Sequence, residues 1–105
     1  MVMAMLEFIE AARLEQIPPG TGTTVKIARK EVAIFNVDGE IYAIADSCAH
    51  AGASLGAGKL NGRVVTCRAH GFRYDVTTGE FTTGGFGVAA YPVKVVDGKI
   101  LIAVD

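Results

Sequence analysis

Two Asp-Gly dipeptides, each set between runs rich in β-branched and aromatic residues, constrain the fold of this chain more than any other feature. They are Asp38-Gly39 and Asp97-Gly98. Asp-Gly favours a type I′ turn, whose central residues both have positive φ, and such a turn joins two antiparallel strands. The runs that they join are 31–37 with 40–45 and 90–96 with 99–104. The sequence therefore predicts two β-hairpins.

Further short runs with strand character occupy much of the remaining chain. In the run 23–28, Val25 and Ile27 alternate with Thr24 and Lys26, which is typical of a strand with one buried face. Many short strands with Gly-rich turns predict an all-β fold, an antiparallel sandwich or small barrel. The other predicted strands are 6–11, 63–66, 72–75 and 80–81, and residues 10–16 also allow a short helix.

Length and charge narrow the classes of function. The 105 residues suffice for one domain and are too few for two, so we predict a single domain over 1–105. Against 11 Asp and Glu side chains, the 10 Lys and Arg side chains leave no basic field for nucleic acid. Glu7 and Glu10 interrupt the N-terminal apolar run, and no stretch is apolar enough to span a bilayer. We therefore expect no nucleic-acid partner, no membrane partner and a cytoplasmic location.

The segment 47–87 differs from the rest of the chain. It holds nine of the 13 glycines and only short strand-like pieces. A structureless stretch of this length is unusual in a compact domain, and binding residues commonly lie on loops that rigid strands support. We therefore expect a bound group to order this segment; a long, floppy surface loop is the alternative.

All cysteines and histidines of the chain lie in that segment, as Cys48-Ala49-His50 and Cys67-Arg68-Ala69-His70. Thiolates and imidazoles bind zinc and iron–sulfur clusters, so two such pairs predict a metal site. Structural zinc sites usually separate paired ligands by roughly two to four residues, and the single residue between Cys48 and His50 is cramped for one ion. A binuclear cluster relaxes this demand, because the two residues of a pair can bind different irons. Zinc stays an alternative, as do buried apolar cysteines with hydrogen-bonded histidines.

The two motifs resemble the Rieske pattern C-x-H…C-x-x-H-G, with Gly71 after the second motif. The resemblance covers nearly the whole chain, including Gly56-Ala57-Gly58, Tyr74-Asp75 and Tyr91-Pro92-Val93. It implies a fold of three small antiparallel sheets, with a cluster-binding subdomain at about 47–87 that carries one [2Fe-2S] cluster.

The same resemblance implies a role for each ligand. Cys48 and Cys67 would bind the inner iron, and His50 and His70 the outer iron. Neighbouring glycines would let backbone N–H groups point at the cluster sulfurs. These glycines are Gly52, Gly56, Gly58 and Gly71.

Departures from one branch of the family indicate which kind of member this is. High-potential members of respiratory complexes carry an extra cysteine pair and a serine that hydrogen-bonds the cluster; here Ala53, Ala69 and Phe72 stand at those positions. The chain more closely resembles the ferredoxin components of ring-hydroxylating dioxygenase systems. This implies a soluble, monomeric one-electron carrier. Its partners would be an NAD(P)H-dependent flavoprotein reductase and a terminal oxygenase acting on aromatic rings.

The residues also limit the chemistry that the chain can perform alone. There is no G-x-G-x-x-G unit for a dinucleotide, and both histidines are already used as cluster ligands. We therefore expect an electron-transfer component and not an enzyme. Docking would use the region around His50 and His70, where Arg68 and Arg73 either pair with an acidic partner or are ordinary solvated charges. The alternatives are the small subunit of an assimilatory nitrite reductase-like enzyme and a zinc-binding structural module.

Overall fold

Ten short strands and one turn of 3-10 helix form the regular structure in the computed structural model, which describes residues 7–46, 54–68, 71–82 and 87–104. The strands pair as three antiparallel sheets, ordered β1-β10-β9, β2-β3-β4-β8 and β5-β6-β7. Within those ranges there is no α-helix, which confirms the all-β fold, and no helix that could cross a membrane. The strands are β1 Ile9–Arg13, β2 Gly22–Ile27, β3 Lys30–Val37, β4 Glu40–Ala45, β5 Lys59–Asn61, β6 Val64–Thr66, β7 Arg73–Asp75, β8 Ala90–Tyr91, β9 Val93–Val96 and β10 Lys99–Ile102.

The first sheet joins the two ends of the described chain, because β10 pairs with β1 on one side and β9 on the other. Two predictions are wrong here. The run 90–96 is not one strand: Pro92, which has no N–H to donate, separates β8 in the second sheet from β9 in the first. The run 10–16 is not a helix: it continues as strand to Arg13, and only Leu14–Gln16 forms a 3-10 turn.

The second sheet lies between two hydrophobic cores. Along β3, Val32 and Ile34 belong to the first core, whereas Ala33 and Phe35 belong to the second. Successive side chains of a strand point to opposite faces, so β3 is buried on both faces. Each such fully buried aliphatic or aromatic side chain contributes about 1.5–3 kcal/mol relative to exposure. The second sheet is therefore the layer that the other two sheets share.

The third sheet is the smallest, with three strands of three residues each. Strands β6 and β7 lie where the sequence predicts them, but β5 was not predicted and 80–81 contributes only an isolated bridge between Phe81 and Tyr74. We call residues 54–68 and 71–82, which contain this sheet, the small unit. We call residues 7–46 and 87–104, which contain the first two sheets, the base.

Two-residue turns join neighbouring strands of the base. The predicted hairpins are confirmed: Asp38 and Gly39 both have positive φ, and so do Asp97 and Gly98. A third turn of the same kind joins β2 to β3, because Ile27 pairs directly with Lys30. Its central residues, Ala28 and Arg29, have φ of 49° and 73°. Residues other than Gly, Asn and Asp adopt such positive φ values only at a cost in free energy.

Candidate metal centre

Cys67 is the one predicted ligand within the described part of the chain. Its side chain is 1% exposed, lies in the second core and forms no disulfide. Cys48, His50 and His70 lie outside the described residues, as do Gly52, Ala53 and Ala69. Among residues 7–46, 54–68, 71–82 and 87–104, no group of three or more His, Cys, Asp or Glu is placed to hold a metal ion.

A short turn at the end of the third sheet positions Cys67. The Cys67 N–H donates to the Phe72 carbonyl at 2.7 Å, and the Gly71 N–H donates to the Cys67 carbonyl at 2.9 Å. Gly71 has φ of 73°, a left-handed conformation that glycine adopts without steric cost. The pairing of β6 with β7 thus continues by one residue pair beyond Thr66 and Arg73. These two hydrogen bonds close the turn between Cys67 and Phe72, and His70 falls within this turn in the sequence.

Asp46 ties the chain before the first motif to the chain after it. This residue follows directly after β4 and is 3% exposed. Its Oδ1 accepts three hydrogen bonds. The donors are the Thr24 hydroxyl at 2.9 Å, the Ser54 hydroxyl at 3.0 Å and the Gly56 N–H at 2.7 Å. The Asp46 carbonyl also accepts from the Leu55 N–H at 2.6 Å. Asp46 therefore joins the base to the start of the small unit.

Close backbone approach explains two of the glycines beside the motifs. A Cβ on Gly56 would collide with the Thr24 hydroxyl and lie 2.8 Å from the Thr23 carbonyl oxygen, and a Cβ on Gly58 would collide with the carbonyl of Thr66. Their N–H groups donate to Asp46 and to the Leu55 carbonyl, and the Gly71 N–H donates to Cys67. Protein oxygens therefore accept from the N–H groups of these three glycines, and the expectation that the glycines let backbone N–H groups point at the cluster sulfurs stays a prediction.

Aromatic side chains pack around the inner side of this turn. Tyr74 is fully buried beside Cys67 in the second core, and its ring centroid is 5.2 Å from that of Phe81. Phe81 in turn packs against Phe72, with 5.3 Å between their ring centroids. Tilted aromatic pairs at such distances stabilise by about 0.5–1.5 kcal/mol beyond area burial. The described inner side of the turn is therefore apolar.

The described side of the site fits the group that the sequence implies. A buried thiol that forms no disulfide, held at the end of a short ladder, is suited to bind a metal cluster as thiolate. The apolar surroundings would limit solvent access, which is one control on the reduction potential of such a cluster. Sequence reasoning missed Thr24 and Ser54, which carry no local motif and lie 22 and 8 positions from Asp46.

Comparisons with known proteins bear directly on this centre. Residues 7–92 match the family model described as the Rieske [2Fe-2S] domain. A curated relative from Ralstonia sp., the ferredoxin component of naphthalene 1,2-dioxygenase/salicylate 5-hydroxylase systems, is 37% identical over 100 residues. That match covers 93% of this chain and 96% of the relative.

Solved structures show the same fold. The ferredoxin of carbazole 1,9a-dioxygenase from Nocardioides aromaticivorans IC177 matches with a TM-score of 0.87 and 31% identity, over 93% of this chain and 98% of that one. A protein described as the small subunit of an NADH-dependent nitrite reductase from Mycobacterium tuberculosis matches with a TM-score of 0.88 over 97% and 98% of the two chains. Its 22% identity shows a shared fold alone. The family match, the relative and the buried thiol agree: this chain belongs to the Rieske [2Fe-2S] domain family, and resembles the ferredoxin components of aromatic dioxygenase systems.

Proposed function

We propose that this chain is a one-electron carrier that passes electrons from an NAD(P)H-dependent flavoprotein reductase to the terminal oxygenase of an aromatic ring-hydroxylating system. The similarity to a dioxygenase ferredoxin component over nearly the full length of both chains is the observation that carries the proposal. Cys67 supports the proposal because it is buried, forms no disulfide and lies in a turn that Gly71 closes. A cluster-binding carrier of this family needs a cysteine thiolate at that position.

We propose Cys48, His50, Cys67 and His70 as the ligand set, with the cysteines on the inner iron and the histidines on the outer iron. A cluster bound in this way accepts and releases one electron. The thiolates of Cys48 and Cys67 would place more negative charge on their iron than the neutral imidazoles of His50 and His70 would place on theirs, so the histidine side would favour the added electron. The chain's own contribution is to orient Cys67 through its turn and to keep water from the thiolate side through Tyr74.

We propose one domain over 1–105, with 47–87 as its cluster-binding part. The small sheet falls within that range and rests on the second core, which it shares with the second sheet. The first core lies on the other side of the second sheet and involves none of the small unit. In this division, the base supports the small unit, and the part that contains the small unit binds the cluster.

We further propose that the carrier acts as a monomer in the cytoplasm. Electrons from NAD(P)H reach it there through the separate reductase. The chain itself has no dinucleotide motif and therefore depends on such a partner. Size-exclusion chromatography with light scattering tests the monomer directly.

The composition of the purified protein tests the cluster. We expect equal amounts of iron and acid-labile sulfide, about two of each per chain, and a Rieske-type EPR spectrum after reduction with dithionite. One zinc per chain without sulfide would instead establish the zinc-binding structural module.

A reconstituted reaction tests the partners. The oxidised holoprotein is mixed with NADH, with the reductase and terminal oxygenase of the Ralstonia naphthalene dioxygenase system, and with naphthalene. We expect NADH-dependent oxygenated product only when the chain is present with its cluster. Product at the same rate without the chain contradicts the role of carrier. Nitrite-dependent oxidation of NADH in a complex with a nitrite reductase large subunit would favour the nitrite reductase alternative instead.

A further inference from the structure

The third sheet has one face in the second core and the other in solvent. In its register, Lys59 lies opposite Thr66, and Thr66 lies opposite Arg73. Successive side chains of a strand point to opposite faces of the sheet, so Lys59, Thr66 and Arg73 point to solvent and their neighbours along the strands point into the second core. The row that enters the core is Leu60, Val65 and Tyr74.

An open groove runs along the solvent face. It has a volume of about 670 Å³, and its lining includes Gly71, the residue that follows the predicted ligand His70. Lys59 and Arg73 stand on its two sides and are both exposed. Arg68, which follows the ligand Cys67, is exposed as well. The groove therefore reaches the residue next to the second ligand motif, and Lys59 and Arg73 place positive charge along it.

The acidic side chains of the small unit do not cancel this charge. The unit has two of them, Asp75 and Glu80, against four basic side chains. Asp75 is already engaged, because its Oδ1 accepts from Thr77 and its Oδ2 lies 3.3 Å from Nε of Arg63. Within the described residues, Lys59, Arg68 and Arg73 take part in no ion pair.

The base has the opposite balance. Its described residues include eight acidic and six basic side chains, although the chain as a whole has a net charge of only −1. The molecule is therefore polarised, with the positive end at the small unit. A field of this kind orients an incoming charged protein before contact and raises the rate of association.

We propose that the solvent face of the third sheet, with Lys59 and Arg73 on it and the exposed Arg68 two residues beyond the end of β6, is the docking surface for a protein redox partner whose docking rim is rich in carboxylates. The inference deepens the proposed function and rests on it, since a partner seated here lies beside the second ligand motif. Cationic side chains of this kind favour encounter with carboxylates and fix the register of docking.

Electron transfer to and from two protein probes of opposite charge tests the surface. Reduced plant-type [2Fe-2S] ferredoxin, an acidic protein and a stronger reductant, is mixed in a stopped-flow instrument with the oxidised holoprotein. The test variant is Lys59→Glu with Arg73→Glu. The matched control is Lys26→Glu with Lys99→Glu, which changes net charge equally at two exposed lysines of the base.

We expect the test variant to lower the second-order rate constant about tenfold at low salt, and the control to change it by less than about twofold. Added salt slows the wild type and has little effect on the test variant, because screening removes the same attraction. With basic cytochrome c as the acceptor of electrons from the reduced chain, the test variant is expected to be as fast as the wild type or faster. Equal rates for test and control variants would overturn the docking surface.

Cluster content separates this inference from the proposed function. All variants are first compared by iron, sulfide and EPR spectrum, and Lys59→Gln with Arg73→Gln replaces the Glu variant if the latter does not retain the cluster. A wild type that exchanges electrons with neither probe contradicts both proposals. A wild type that exchanges electrons, with variants that all behave alike, contradicts the docking surface alone. Tight binding of a fluorescent DNA duplex that depends on Lys59 and Arg73, with unchanged electron transfer, would assign the face to nucleic acid and overturn the proposal.

Discussion

The base and the small unit share an antiparallel architecture but achieve their order in different ways. Two-residue turns join neighbouring strands in both regions, but the strands of the base extend to eight residues in β3. In the small unit each strand has three residues, and a carboxylate of the base accepts from its Ser54 hydroxyl and its Gly56 N–H. The Asp46 carboxyl group is the clearest such tie, since it collects three donors from both regions.

The difference bears on what each region requires in order to stay folded. The first core lies wholly within the base, between long paired strands, and so can keep the base folded by itself, whereas very short strands are seldom stable alone. Under the proposed function, the bonds from the cluster to its ligands would add the stability that three short strands cannot supply. We therefore expect the base to fold with or without the metal, and the small unit to depend on the metal and on Asp46.

The largest effect is expected from Cys67→Ser, which removes a proposed ligand. We expect complete loss of iron, sulfide and visible absorbance. Hydrogen exchange should quicken strongly in β5–β7, whereas amides of β3 and β4 keep most of their protection because their own ladder is unchanged. Val65→Ala is the control, since it disturbs the same core without removing a ligand and should retain the cluster. Full metal content in the serine variant would show that Cys67 is not a ligand.

Asp46→Ala is expected to have the next largest effect. It leaves three donors without their common acceptor, so the free energy of unfolding of the holoprotein should fall by about 2–4 kcal/mol in urea titrations. The half-life of the visible absorbance in the presence of a chelator should fall with it. Asp46→Asn keeps one acceptor oxygen and should lose less. A cluster half-life equal to that of the wild type in the alanine variant would mean that this tie does not protect the site.

The contrast between the two regions also explains what the sequence could predict. The hairpins of the base follow from Asp38-Gly39, Asp97-Gly98 and the alternation in β2, because these signals are local. Strand β5 has no such signal: Lys-Leu-Asn has little β-propensity, and it pairs because Leu60 packs into the second core. The break at Pro92 required knowledge of which sheet each side of the proline joins.

The candidate site shows the same limit. Its four proposed ligands stand out because they are the only cysteines and histidines of the chain and fall into two short motifs. The residues that support the site do not stand out in this way. Thr24 lies 22 positions from Asp46, and their hydrogen bond forms only once β2 and the end of β4 are brought together. The glycines were predicted to matter, and for Gly56 and Gly58 the structure shows the close approach of β2 and of the Thr66 carbonyl, which no local pattern reveals.

Gly56→Ala tests that reason and should have a smaller effect than the loss of Asp46. The new Cβ would collide with the Thr24 hydroxyl and lie 2.8 Å from the Thr23 carbonyl oxygen, so β2 or the small unit must shift, at a cost of about 1–3 kcal/mol. Gly62→Ala is the control: its φ is 64°, so alanine is strained there, but no atom obstructs the new methyl group. Thermal unfolding of both holoproteins should show the greater loss for Gly56→Ala. The reverse order would mean that backbone conformation, and not the contact with β2, limits position 56.

The smallest effect is expected in the turn between β2 and β3, and it is a gain in stability. Replacing Ala28 by Asn and Arg29 by Gly gives residues that tolerate the positive φ found there, so the free energy of unfolding should rise by about 0.5–1 kcal/mol. For a domain of this size the melting temperature should rise by roughly 4 °C. Exposed Lys99→Gln, outside the turn, is the control and should change little. Hydrogen exchange then separates the two regions: amides of β2 and β3 should exchange more slowly, and those of β5–β7 at the rate of the wild type. If exchange slows equally in β5–β7, the base and the small unit open together, and the small unit draws its stability from the base rather than from the cluster.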